Sequence, residues 1–140
     1  MRIQQYPDTI YVTRLDYQRL MTLIGQEHPA AATRPVTALE QELMRAHVVD
    51  SYDVLPDVVT MNSRLKLRRL DSSDEVEFTL VYPHQNNEDQ RRLSVLSPLG
   101  IAVLGCRLGD RVLLAQPEGL VHYWVEAILH QPEAAGDRLS

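Results

Sequence analysis

Three cations fall on alternate positions of one short segment, Arg64, Lys66 and Arg68, with Leu65 and Leu67 between them and Arg69 beside the last. On one face of a strand such a row is either a solvated surface or a contact for an acidic protein surface or for RNA. Arg91 and Arg92, in a polar loop, could extend it. The five histidines, His28, His47, His84, His122 and His130, lack the spacing of a metal-binding motif. His122 and Glu126 share a face of an expected strand, but four residues of strand set them ~13 Å apart, too far to share one ion. No metal site and no cofactor is expected. Cys106 is the single cysteine, so it forms no intramolecular disulfide. It follows an apolar segment with no histidine paired to it and reads as a buried structural thiol. Ser97-Pro98 is a helix-start signal, with Ser97 as N-cap and Pro98 at the first helical position.

The elements that position these residues change period part-way along the chain. Thr13 precedes a helix expected from Arg14 to Ile24, with Asp16 three residues on in a capping-box-like arrangement. Tyr17, Leu20 or Met21, and Ile24 line one face of it. Gly25 and Pro29 are expected to end it. A second helix is expected from Pro35 to Val49, striped by Val36, Leu39, Leu43 and Ala46 or His47. Two single-striped helices bury stripe against stripe as an antiparallel hairpin, a short coiled coil. After Asp50 the period becomes two. The Arg64–Arg68 row and the alternation Val76, Phe78, Leu80, Tyr82 form a strand pair about the turn Asp71–Asp74. A short apolar helix after Ser97 and strands from Arg111 to Ala115 and from Leu120 to about His130 complete the pattern. Trp124 is expected in the core. The fold class is therefore α+β: a helical hairpin over residues 1–52, then residues 53–140 as an antiparallel sheet with one packed helix.

At 140 residues, 44% hydrophobic and 24% charged, the chain has ordinary globular composition. Its net charge of −5 argues against a general nucleic-acid binder, which needs an excess of Lys and Arg. No stretch approaches the ~18 apolar residues of a membrane span, and MRIQQYPDTIYV has no signal-peptide core. A reducing cytoplasm, no membrane and no sequence-specific nucleic acid are the expectations.

The stretches DVVTMNSRLKLRRL, TLVYP, LSVLSPLGIAVLGCRLGDRV and HQPEAAGD resemble the Rnk family, bacterial regulators of nucleoside diphosphate kinase and short relatives of the GreA/GreB transcript-cleavage factors. That resemblance implies an FKBP-like C-terminal domain that docks on RNA polymerase at the rim of its secondary channel. The docking loop of the family falls here on Leu96, Ser97 and Pro98, and Leu99 adds apolar area to it. Family members that stimulate RNA cleavage carry paired acids at the hairpin tip, which help to hold a catalytic magnesium ion. Here the tip between Gly25 and Pro35 offers Glu27 alone. The expectation is a non-enzymatic competitor of Gre factors with no catalytic residue; Glu27 reads as a solvated loop residue. Direct binding to nucleoside diphosphate kinase is the alternative. A prolyl isomerase is a weaker one, since Tyr123 and Trp124 point to opposite faces of a strand and cannot line one pocket.

Overall fold

In the computed structural model, which describes residues 9–26 and 34–137, strand β1 (Tyr11–Thr13) passes without a break into helix α1 (Arg14–Gln26). The expected hairpin tip, Glu27 and His28 included, lies outside the described residues. Thr13 caps α1 as expected: its Oγ1 accepts the Asp16 N–H at 3.1 Å, a bond of the kind worth about 1 kcal/mol. Gly25 does not end the helix, which runs one residue past it to Gln26.

Helix α2 (Arg34–Met44) stops five residues short of the expected Val49. His47–Val49 is instead strand β2, paired in parallel with β1 from Tyr11↔His47 to Thr13↔Val49. The cause is a partner distant in sequence. The Ile10 carbonyl takes the His47 N–H at 2.8 Å, and β-branched Val48 and Val49 are at ease in the extended form.

The larger sheet has the order β5-β4-β3-β7-β6, with β3 (Arg64–Arg69), β4 (Glu75–Val81), β5 (Arg92–Ser94), β6 (Arg111–Gln116) and β7 (Gly119–His130). It is not wholly antiparallel. β5, which begins at Arg92, the last residue of the expected polar loop, lies parallel to β4 from Thr79↔Arg92 to Val81↔Ser94. Two turns of 3-10 helix, Pro83–Gln85 and Glu88–Gln90, carry the chain round. Arg91 at φ 56° completes the return, and Asn86 Oδ1 accepts the Ser94 N–H at 2.9 Å. Helix α3 (Pro98–Val103) follows, capped by Ser97.

One apolar cluster joins Leu20, Leu39 and Leu43 of the helices to Leu65, Leu67, Phe78, Leu80, Val112 and Val125 of the sheet. The helical stripes thus seat on the sheet's core as well as on each other. On β7 the inward residues are Val121, Tyr123 and Val125. Trp124, expected in the core, has the opposite parity and stands 36% exposed on the outer face.

Candidate partner-binding site

Ser94, Ser97 and Gly100 together build the loop that leads into α3. Ser97 Oγ accepts the Gly100 N–H at 3.0 Å and donates to the Ser94 carbonyl at 2.7 Å. The Ser97 N–H donates to the same carbonyl at 3.0 Å, and the Leu96 N–H to Ser94 Oγ at 3.0 Å. The serine hydroxyl is therefore fully engaged inside the loop and fixes its shape. Gly100 has no substitute here, because a Cβ would lie 2.2 Å from the Ser94 oxygen. What the loop presents outward is Pro98, exposed, flanked by half-buried Leu96 and Leu99. The ring of Pro98 holds φ in advance, so this knob loses little freedom on contact.

The row Arg64, Lys66 and Arg68 lies on one sheet face as expected, but its charges are answered within the sheet. Arg64 Nε donates to Glu77 Oε2 at 2.8 Å. Lys66 Nζ stands 3.6 Å from Glu75. Arg68 bonds Glu126, at 3.1 Å through one pair of atoms, and also Glu75 and the Ser73 carbonyl. Hydrogen bonding to Arg68 holds the Glu126 carboxyl below the usual glutamate range. The face is an ion-pair ladder across β4, β3 and β7. Arg91 and Arg92 are exposed near its β5 edge.

Cys106 is wholly buried, its Sγ 3.3 Å from the Ala102 carbonyl, and burial pushes its thiol far up from the ordinary value. It is no nucleophile at neutral pH. Among the described residues no group of three His, Cys, Asp or Glu could hold a metal ion. No helix among them is long and apolar enough to cross a membrane. Phe78 and Tyr123 are packed into the core. A groove of about 770 Å³ runs between α1 and residues 82–85, with Leu15, Arg19, Leu23, Asn62, Tyr82 and His84 in its walls.

Sequence reasoning missed the polar junction under α1. Asp16 is buried and accepts the Met61 N–H at 3.0 Å through Oδ2. An acid three residues after a capping threonine announces a helix start, but nothing local announces a partner 45 residues away.

With this geometry in place, comparisons with known proteins assign the chain. Residues 54–130 match the model of the transcription elongation factor GreA/GreB C-terminal family, and residues 8–49 match that of the Rnk N-terminus. The chain belongs to the GreA/GreB family, with a Rnk-type N-terminus. It is 42% identical over 133 residues to the regulator of nucleoside diphosphate kinase of Escherichia coli K12, covering 94% of this chain and 96% of that one. It is 35% identical over 101 residues to the transcription elongation factor GreA of Prosthecochloris aestuarii, covering 71% of this chain and 63% of that relative. Among solved structures, the GreA/GreB elongation factor of Nitrosomonas europaea superposes with a TM-score of 0.73 at 33% identity, over 87% of this chain and 98% of that one. In this GreA/GreB-family chain the Rnk-type match holds β1 through β2, and the C-terminal match holds the five-stranded sheet, the Ser97-Pro98 loop and α3.

Proposed function

We propose that the chain is a bacterial, cytoplasmic transcription regulator. It docks its FKBP-like C-terminal part on RNA polymerase near the secondary channel and competes there with Gre factors without catalysing transcript cleavage. The observation that carries this reading is the loop Leu96–Leu99: Ser97 is bonded inward at three points, and an exposed proline stands between two leucines. A rigid apolar knob of this kind suits a small protein contact, because little side-chain entropy is lost on binding. The want of a cleavage activity rests on the sequence of the tip, where Glu27 is the single acid between Gly25 and Pro35. Two carboxylates would be needed to recruit a second hard cation. The described helices, of 13 and 11 residues, are also short, ~20 and ~17 Å at 1.5 Å per residue.

The test is competition binding to core RNA polymerase with GreB as the rival. Displacement of GreB, weakened about tenfold by Pro98→Ala, roughly the loss of one moderate hot-spot residue, is the expected result, with no cleavage of stalled transcripts. Absence of binding at micromolar concentrations would remove the reading. A second reading is direct regulation of nucleoside diphosphate kinase, favoured by the name of the Escherichia coli relative. A pull-down that retains the kinase and not polymerase would decide for it. A weak prolyl isomerase is the least supported reading, since Phe78 and Tyr123 are core residues.

A further inference from the structure

Asp16 stands in the first turn of α1 and is 2% exposed. Its Oδ2 accepts the N–H of Met61, in the segment before β3, so one carboxyl ties the N-terminal helix to the sheet half of the molecule. The C-terminal segment brings a second buried acid to the same place. Glu133, 6% exposed, accepts the Thr60 hydroxyl at 2.7 Å, and Ser63 Oγ lies 2.9 Å from that hydroxyl. Tyr82, the residue after β4, contributes its hydroxyl, with His84 stacked on its ring, and α1 itself contributes Arg19. Two carboxyl groups thus share a nearly dry junction with one guanidinium.

We propose that the Asp16 carboxyl is a proton-operated latch between α1 and the segment before β3: neutral, it seats the helix; ionised, it places a charge beside a second acid in a dry junction and loosens the seat. A neutral carboxyl still accepts the Met61 N–H through its carbonyl oxygen. Its own O–H then needs an acceptor, and the buried Tyr82 oxygen lies beside it, close to both Asp16 and Arg19. The proton has a reason to stay. Burial, the largest cause, pushes the Asp16 carboxyl up to about 7; the Met61 N–H opposes that, and the Glu133 charge adds to it. The folded value lies above the ordinary aspartate value of 3.8. The stabilisation is therefore fully present below the unfolded value and is lost as pH rises through the folded one. The device works near neutral pH, and it needs no partner.

The experiment is an NMR titration of the full chain from pH 5 to 8.5, following the Met61 amide resonance. The expected result is a shift of that resonance with a midpoint near 7, together with faster exchange of α1 amides above the midpoint than base catalysis alone gives. Asp16→Asn should abolish both, and Glu133→Gln should lower the midpoint. A Met61 resonance that stays flat across this range, or titrates unchanged in Asp16→Asn, overturns the proposal. If Asp16→Asn does not fold, the wild-type titration and its displacement in Glu133→Gln decide alone. Because the isolated chain is used, the outcome is separate from that of polymerase binding.

Discussion

Two surfaces of this molecule compete for the role of contact site, and they differ in what they leave unsatisfied. The outer sheet face carries Arg64, Lys66 and Arg68, yet Glu75, Glu77 and Glu126 meet those cations strand by strand. The Leu96–Leu99 loop carries no charge, and its one hydroxyl is turned inward. The first surface is polar and already partnered. The second is apolar, rigid and open at Pro98. Exposed charge is thus a poor guide to a binding face when the neighbouring strands hold its complement. A partner that used the ladder would first have to displace acids that are already in place.

The largest effect that would sharpen this contrast is expected from Gly100→Ala. With the Ser94 oxygen 2.2 Å from the new carbon, the loop must open, and a loss of about 3 kcal/mol is expected for a clash with fixed backbone. Urea unfolding would measure it, and polymerase binding should fall with it. Next comes Ser97→Ala, which removes the α3 cap at a cost of about 1 kcal/mol; a melting curve checks the stability and competition with GreB the affinity. Smallest is Glu77→Gln on the ladder, expected to cost under ~1 kcal/mol and to lose even that in high salt. If this last change altered polymerase affinity more than Ser97→Ala does, the ranking of the two surfaces would be reversed.

Acid titration separates two other regions with opposite signs. Arg68 depresses Glu126, so the stabilisation from that pair is present above the unfolded glutamate value and is lost as pH falls through the folded one. Asp16 behaves in the reverse sense, losing its contribution as pH rises. Denaturant midpoints of Glu126→Gln and Asp16→Asn, each compared with wild type across pH 3 to 8, should coincide with it in acid and part from it in opposite directions toward pH 8, Glu126→Gln below wild type and Asp16→Asn above.

Much of the fold could be read locally. The Thr13 cap, the Leu20, Leu39 and Leu43 stripes, the β3–β4 hairpin and the Ser97 cap depend on neighbours within a few residues, and each is where its pattern put it. The departures share one cause, a partner far along the chain. β2 is a strand because Ile10 and β1 lie beside it, and β5 is a strand because Thr79 does. Trp124 departs from its expected place in the core for a different reason: on β7 it has the opposite parity to Val121, Tyr123 and Val125, which face inward. Of the candidate site, the Leu96–Leu99 loop was legible through its helix-start residues. That the Arg64–Arg68 row is neutralised was not, because β7 brings Glu126 from 58 residues away.

Gly105 has a consequence for the exchange of parts between relatives. It sits at φ +78°, and its carbonyl takes the Tyr11 N–H at 3.1 Å. A side chain there would press within 2.6 Å of Ile10 Cβ. A chimera that replaces residues 8–49 with another member's hairpin must therefore reproduce a crossing in which one backbone passes directly over another. The modularity visible in two separate family matches is a property of sequence; the grafted piece would have to be bred to its host at that crossing.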